Sequence, residues 1–211
     1  ATLHCQTDVM NYGKLNRSGL TMIIYLHGFL STPQSTKALL LRDALAARGM
    51  ADEYVCPQLP LSPRAAAKLV LATAQMEAAE NLTVIGSSLG GFYATWVAEQ
   101  VGCRAVLLNP SIKPYDDLRP YVGPQKLYGS GDAVDFKPQY LEELLAIDTP
   151  HITRPERYLL VAATGDALID YRSMVAKYPG AQQRVIEGSD HQLTDFPNYL
   201  EQVLAFCGVC A

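Results

Sequence analysis

Short apolar runs alternate with helical patterns from residue 20 to residue 206, and few architectures accommodate such an alternation. It implies a parallel sheet with helices on both faces, because each helical crossover brings the chain back to the same edge of the sheet. Right-handed crossovers then fix the winding. The predicted strands are 20–26, 54–56, 82–85, 104–108, 157–163 and 183–186, and the predicted helices are 35–49, 65–80, one that starts at 89, 171–178 and 197–206. The sequence therefore predicts an α/β fold with a mainly parallel sheet of about six strands.

The pattern divides the chain into a short tail and one domain. A chain of 211 residues, 49% of them hydrophobic, suits a single domain with one sizeable core. Residues 1–21 are polar and have no clear period, so we expect a tail or leader before a domain at 22–211. Residues 113–156 interrupt the alternation with prolines and tyrosines around one helical pattern at 140–147. We expect this segment to form a small cap over the carboxyl edge of the sheet.

Composition argues against several classes of partner. The net charge is -4 and the Lys and Arg residues are scattered, so we expect no nucleic-acid surface and no anionic-lipid surface. No stretch approaches the ~20 apolar residues that cross a bilayer, and we expect no membrane insertion. The N-terminal residues lack the pattern of a secretory signal, so the sequence predicts a cytoplasmic protein.

The cysteines do not form a recognisable framework. Five is an odd number, which argues against full disulfide pairing. Cys207 and Cys210 form a C-x-x-C motif, but no second pair is present to complete a zinc site. We expect no metal and no cofactor.

One strand-to-helix turn carries a candidate nucleophile. The apolar run at 82–85 leads directly into Gly86-Ser87-Ser88-Leu89-Gly90, after which the apolar period becomes helical. This is the G-x-S-x-G pattern of a nucleophile elbow, in which Gly86 and Gly90 leave room for neighbouring backbone and the central Ser88 is exposed. Two alternatives are an ordinary glycine-rich connection and a phosphate cradle at a helix N-terminus. Neither of the glycine-rich phosphate-binding motifs occurs in the chain.

A serine hydroxyl needs an imidazole that accepts its proton, and His191 is the candidate base. In an elbow fold the acid and then the histidine follow the serine along the chain. His4 and His27 precede Ser88, and His151 falls in the predicted cap. His191 follows the last predicted strand, so it should lie at the same edge of the sheet as Ser88.

A carboxylate must orient the imidazole, and three positions compete for this role. Asp166 comes just after the strand at 157–163 and can reach the same edge as His191. Asp170 is better explained as a helix cap before Tyr171. Asp116 or Asp117, after the strand at 104–108, remains the alternative.

The developing oxyanion needs two backbone N–H donors. One is expected from Leu89, which follows the nucleophile at the positive end of its helix. The other is expected from Phe29, beside the flexible Gly28 in the first loop. His27 shapes that loop, and we assign it no proton-transfer role.

These motifs together resemble the α/β-hydrolase superfamily, and within it the bacterial YqiA-like esterases. The resemblance implies a compact hydrolase that lacks the first antiparallel strands of larger relatives and acts on short acyl esters. It also implies Ser88 as nucleophile, Asp166 as acid and His191 as base. The motifs that carry it run in order from Tyr25 to Phe196: YLHGFLSTPQSTKA, CPQLP, GSSLGGFYATW, LNPSIKPYDDL, TGDALIDYR and VIEGSDHQLTDF.

The sequence thus predicts a cofactor-free serine carboxylesterase or thioesterase that works through an acyl-enzyme. Its expected partner is a small-molecule acyl ester or thioester, and the oligomeric state is not readable from the sequence. An acyltransferase or perhydrolase with the same triad is the alternative enzyme. A binding module that kept the fold without turnover is the alternative outside catalysis.

Overall fold

Six parallel strands form the central sheet in the computed structural model of the protein, which describes residues 21–209. Within residues 21–209 the strands are β1 (Met22–Leu26), β2 (Tyr54–Val55), β3 (Leu82–Ser87), β4 (Arg104–Leu108), β5 (Gly123–Lys126), β6 (Ala133–Phe136), β7 (Tyr158–Ala163) and β8 (Gln182–Ile186). The order across the main sheet is β2-β1-β3-β4-β7-β8, and every neighbouring pair in it is parallel. The predicted class is therefore confirmed, and each strand of this sheet lies within two residues of its predicted bounds.

Helices cover both faces of this sheet. They are α1 (Thr36–Ala46), α2 (Pro63–Ala74), α3 (Leu89–Val101), α4 (Pro114–Asp117), α5 (Gln139–Leu145), α6 (Tyr171–Lys177) and α7 (Leu200–Phe206). Successive strand side chains point to opposite faces. Thus Ile24 and Leu26 of β1 pack in one core with α2, α3, α5 and α6, whereas Ile23 and Tyr25 pack in a second core with α1 and α7.

The strand order creates a crevice between β1 and β3. From β1 the chain moves outward to β2 and then crosses to the other side of β1 to form β3. Loops after β1 and β3 therefore leave the sheet in opposite directions, and ligands bind at such points outside the carboxyl ends of the strands. The two loops are those of Phe29 and Ser88.

Three helices are shorter than predicted by more than one residue. The pattern at 35–49 forms α1 only from Thr36 to Ala46. The pattern at 65–80 forms α2 only to Ala74, and a separate 3-10 turn follows at Ala79–Asn81. At the other end α2 starts at Pro63, because Ser62 caps it by accepting the backbone N–H of Ala65. The pattern at 197–206 forms α7 only from Leu200, since its first residues form the 3-10 turn Phe196–Asn198.

The segment predicted as a cap contains a hairpin that the sequence analysis did not predict. Strands β5 and β6 pair as an antiparallel ladder, and the helical pattern at 140–147 becomes α5. The hairpin strands show little apolar alternation, because most of their side chains are exposed or half-buried. A period-2 pattern is the main sequence signal of a strand, and here it is too weak to read.

Some predictions concern residues that the structure does not describe. The expected tail at 1–21 lies outside the described residues, Thr21 apart, and so does Cys210 of the C-x-x-C motif. Among the helices of residues 21–209, none has the length and apolar character to cross a membrane. The cytoplasmic location stays a prediction.

Candidate active site

Loops from four parallel strands meet at the carboxyl edge of the sheet and bring the predicted site residues together. Phe29 follows β1, Ser88 follows β3, Asp166 follows β7 and His191 follows β8. In a parallel sheet the carboxyl ends of all strands lie at one edge, so residues distant in sequence become neighbours there.

Ser88 occupies a sharp turn between β3 and α3. Its backbone has φ 55° and ψ -121°, which is unusual for a residue with a side chain. A Cβ on Gly86 would lie 2.1 Å from the carbonyl oxygen of Gly90, and a Cβ on Gly90 would lie 2.0 Å from that of Leu26. Only glycine therefore fits at both flanking positions, and the turn presents Ser88 half-buried at the edge of the sheet.

A continuous chain of hydrogen bonds joins three side chains at this edge. The Nε2 atom of His191 lies 3.1 Å from Oγ of Ser88, and its Nδ1 atom lies 2.7 Å from Oδ2 of Asp166. An imidazole with its proton on Nδ1 donates to the carboxylate and leaves Nε2 free to accept from the serine hydroxyl. This is the arrangement that activates a serine nucleophile.

The carboxylate of Asp166 is fully buried and well supplied with donors. Its Oδ1 atom accepts the backbone N–H groups of Leu168 at 2.8 Å and Ile169 at 2.9 Å. Burial by itself would raise the pKa of Asp166, but the bonds from His191 and from the two N–H groups outweigh it and lower the pKa below its ordinary value. Asp166 is therefore held as the carboxylate that orients His191.

The competing carboxylates have other partners. Asp170 caps α6 by accepting the backbone N–H of Arg172 at 3.0 Å, as interpreted from the sequence. Asp116 lies on α4 and pairs with Arg119 at 3.4 Å, and Asp117 lies on the same short helix. Within residues 21–209, the carboxylate that His191 contacts belongs to Asp166.

His27 is buried beneath the first loop and holds it in place. Its Nδ1 atom lies 3.0 Å from the carbonyl oxygen of Gly28, and its Nε2 atom accepts the backbone N–H of Leu59 at 3.1 Å. Burial lowers the pKa of His27, although the Gly28 carbonyl acts in the opposite direction. A neutral ring with these two bonds joins the loop after β1 to the loop after β2.

The two predicted oxyanion donors belong to the loop after β1 and to the start of α3. Leu89 is the first residue of α3, where backbone N–H groups have no partner within the helix. Phe29 follows Gly28, which is so close that a Cβ on it would lie 3.3 Å from Cβ of Ser88. The ring of Phe29 is fixed by edge contacts with Tyr121 and Phe136, at centroid distances of 5.7 and 5.0 Å.

A cavity of about 210 Å³ opens beside this loop. The hairpin contributes Leu127 and Val134 to its wall, and the backbone N–H of Tyr128 donates to the carbonyl of Leu30 at 2.8 Å. Sequence analysis missed this wall because the hairpin itself was not predicted. The other lining residues are His27, Gly28, Phe29, Leu30, Ser31, Gln58, Leu59, Pro60, Leu61, Leu89 and Tyr93.

Sequence analysis also missed two polar residues that contact the loop of His191. Asn109 directly follows β4 at the carboxyl edge, and a polar residue at that place was a usable signal. Lys37 lies in α1, where a lysine is ordinarily solvated, so the sequence carried no signal for it.

No group of three histidine, cysteine or acidic side chains within residues 21–209 is placed to hold a metal ion. Cys207 is fully buried, and burial raises the pKa of its thiol to about 12. Cys210, the other cysteine of the C-x-x-C motif, is outside the described part of the chain.

The parallel sheet, the elbow and the order of serine, aspartate and histidine define the class of protein, which has the α/β-hydrolase fold. Residues 22–208 match the model of UPF0227, an uncharacterised protein family, and the chain belongs to that family.

Solved structures of known proteins share the fold. A protein from Agrobacterium vitis S4 with a provisional hydrolase name has a TM-score of 0.72 and 18% identity, over 89% of this chain and 88% of that one. Est1E from Butyrivibrio proteoclasticus, solved with ferulic acid bound, has a TM-score of 0.65 and 14% identity, over 90% of both chains. Carboxylesterase CesB (YbfK) from Bacillus subtilis has a TM-score of 0.56 and 17% identity, over 92% of this chain and 86% of that one.

Proposed function

We propose that this protein is a serine carboxylesterase or thioesterase that hydrolyses short-chain acyl esters. The observation that carries the proposal is the chain of hydrogen bonds from Ser88 through His191 to Asp166, with distances of 3.1 and 2.7 Å. Its support is threefold: the serine lies on an elbow, the imidazole has one nitrogen facing it, and the orienting carboxylate is buried and ionised.

The proposed reaction has two halves. Oγ of Ser88 attacks the acyl carbonyl carbon while Nε2 of His191 takes the hydroxyl proton. The bond from that carbon to the leaving oxygen or sulfur then breaks, and His191 returns the proton to the leaving group. Water attacks the acyl-Ser88 ester in the same way, and its proton passes through His191 back to Oγ of Ser88. The N–H groups of Phe29 and Leu89 stabilise the negative oxygen in both halves.

The size of the cavity supports short acyl groups. Its volume of about 210 Å³ is below the roughly 300 Å³ at which pockets for drug-sized ligands begin. Its walls are mainly apolar side chains, such as those of Leu61, Leu89 and Val134. An acyl chain of a few carbons fills such a space, and longer chains extend into solvent without further burial.

Labelling with a fluorophosphonate probe tests the nucleophile, since the probe modifies only an activated serine. We expect wild-type protein to label at Ser88, the Ser88→Ala variant not to label and to lose at least ~10³-fold in kcat, and a Ser87→Ala control to keep its label. A wild type that does not label contradicts the proposal.

Substrate class is tested with p-nitrophenyl esters of increasing length beside acyl-CoA substrates. Hydrolysis of the short esters supports esterase activity, and a preference for acyl-CoA supports the thioesterase form. Transfer of the acyl group to an added alcohol or peroxide in place of water would identify an acyltransferase or perhydrolase.

A further inference from the structure

The segment that carries His191 has no regular structure of its own. Residues 187–195 connect β8 to the 3-10 turn Phe196–Asn198, and we call them the His191 loop. In a helix or strand the backbone ladder would fix the direction of the imidazole. Here the backbone carbonyls of Asp190, His191 and Gln192 accept hydrogen bonds from two side chains of other elements, and the carbonyl of Asp190 also accepts the N–H of Leu193 at 3.0 Å.

Asn109 supplies two of these bonds from the end of β4. Its Nδ2 atom donates to the carbonyl of Asp190 at 2.9 Å and to that of His191 at 3.2 Å. Its Oδ1 atom accepts the backbone N–H of Ala163 at 2.8 Å, at the end of the strand that leads to Asp166. The side chain is fully buried, and both ends of the amide are used. No other residue of this size provides two donors and one acceptor in this arrangement.

The segment at the end of β4, residues 108–111, also holds the nucleophile. The backbone N–H of Ser88 donates to the carbonyl of Leu108 at 3.0 Å, and the carbonyl of Ser88 accepts the N–H of Ser111 at 3.0 Å. Residues 108–111 therefore contact the turn of the serine, the strand that leads to the acid and the loop of the base at once. Asn109 has φ 42°, a conformation that asparagine tolerates better than most residues.

Lys37 contacts the His191 loop from α1. Its Nζ atom donates to the carbonyl of Gln192 at 2.5 Å, and only 8% of the residue is exposed. Asp190 is the nearby charge that favours the ammonium form, yet burial outweighs it and lowers the pKa of Lys37 to about 8. A buried ammonium is a costly way to stabilise a fold, whereas it fixes a carbonyl strongly.

We propose that Asn109 and Lys37 are positioning residues that clamp three consecutive carbonyls of the His191 loop and so hold the imidazole between Ser88 and Asp166. The proposal rests on the proposed function, because it assigns these residues to the same catalytic base. Neither side chain touches the reacting atoms. Their effect is on the angle and distance of Nε2 of His191, where small displacements have large effects on rate.

Asn109→Asp tests whether the two N–H donors of the amide, and not the shape of the side chain, position the His191 loop. The variant keeps the outline and the oxygen that accepts the Ala163 N–H, but it loses both donors to the His191 loop. We expect kcat for a short p-nitrophenyl ester to fall ~10²-fold, while KM stays within about threefold. Asn198→Asp, at an exposed site on the 3-10 turn, is the matched control and should leave both constants unchanged.

Lys37→Met tests the other half of the clamp, and here the expectation includes the stability of the fold. Methionine keeps the apolar stem and removes the buried ammonium, so the melting temperature should stay the same or rise. We expect kcat to fall ~10-fold. Lys68→Met, on the exposed side of α2, is the control. A fall in melting temperature that accompanies the fall in kcat would mean a structural role, and would overturn the assignment of Lys37.

Proton NMR gives a readout that does not depend on turnover. The Nδ1 proton that His191 shares with Asp166 should give a downfield signal, assigned by its loss in His191→Gln. We expect the signal to be broadened or lost in Asn109→Asp and Lys37→Met and retained in both controls. Folded clamp variants with wild-type kcat and an unchanged signal would refute the proposal. If wild-type protein shows no labelling and no hydrolysis, the proposed function fails, and the signal alone then decides whether the clamp exists.

Discussion

At the scale of single residues, Asp166 and Asp170 show how two nearby carboxylates acquire different roles. Asp166 is buried and accepts three hydrogen bonds, one of them from His191. Asp170 is exposed and caps α6. Sequence position separates them, because Asp166 lies just past a strand end and Asp170 lies just before a helix.

Asp166→Asn should reduce kcat by about 10³ to 10⁴ fold, since an amide at this position favours the wrong tautomer of His191. The measurement is kcat for a short p-nitrophenyl ester, with circular dichroism to verify the fold. Asp170→Asn keeps a capping side chain and serves as the control. If Asp116→Asn or Asp117→Asn cost more activity than Asp166→Asn, the assignment of the acid is wrong.

Residue-level contacts were the least accessible to sequence reasoning. The loop positions of Ser88, Asp166 and His191 could be read from strand ends, because a parallel sheet gathers those ends at one edge. Asn109 also follows a strand end, so its place at this edge could be read, whereas that of Lys37 on α1 could not. Their contacts depend on which carbonyls a loop without regular structure presents, and no sequence period encodes that choice.

At the scale of elements, the turn between β3 and α3 depends on close backbone approach. Gly86→Ala would place a Cβ 2.1 Å from the carbonyl oxygen of Gly90, so the turn must shift. We expect the free energy of unfolding to fall by about 3 kcal/mol, measured by chemical denaturation. Gly28→Ala has a nearest contact of 3.3 Å, to Cβ of Ser88, and should mainly reduce activity. Equal stability of wild type and Gly86→Ala would argue against the geometry of this turn.

The hairpin of β5 and β6 forms part of the cavity wall through Leu127 and Val134. Val134→Trp on β6 should fill part of the about 210 Å³ and shift the preference toward shorter esters. Each buried methylene contributes about 0.8 kcal/mol, so kcat/KM should stop rising at a shorter chain than in wild type. The test is a chain-length series of p-nitrophenyl esters. A series that still rises at long chains in wild type would mean a deeper tunnel than this cavity.

The helices and strands were predicted with different accuracy. Buried strands such as β3 and β7 give apolar runs that a reader can recognise, and their helices give a clear period. The hairpin and the ends of three helices, α1, α2 and α7, were misread, because the local pattern there is weak and tertiary contacts decide the boundaries.

At the scale of the whole molecule, buried thiols link stability to alkaline pH. Burial raises the pKa of Cys103 to about 11 and of Cys207 to about 12, from an ordinary 9.0. Above pH 9 the unfolded chain loses these protons and the folded protein keeps them, so stability is full below pH 9 and falls as pH rises. Lys37 acts in the opposite direction, since its lowered pKa makes stability rise from about pH 8.

The expected result is a decline in the free energy of unfolding above pH 9, to which each buried thiol contributes about 1.4 kcal/mol per pH unit. Cys207→Ala removes one such group. Because the unfolded thiol is still titrating near pH 9, this variant should reduce the decline between pH 9 and 10 by about 1 kcal/mol, whatever its effect at pH 7. Urea denaturation across this range provides the measurement, and an unchanged slope would contradict the burial of the thiol.

The proposed site combines residues that follow a central strand and an edge strand of the sheet, and this affects how the protein loses activity. Ser88 follows the central strand β3, whereas His191 follows β8, which among the strands of residues 21–209 pairs with β7 alone. The single tryptophan, Trp96, is on α3, the helix that begins immediately after Ser88. Partial opening of the edge strand β8 would therefore separate His191 from Ser88 while the surroundings of Trp96 stay native. In rising denaturant, hydrolysis should disappear before tryptophan fluorescence changes, and on refolding it should be the last property to return.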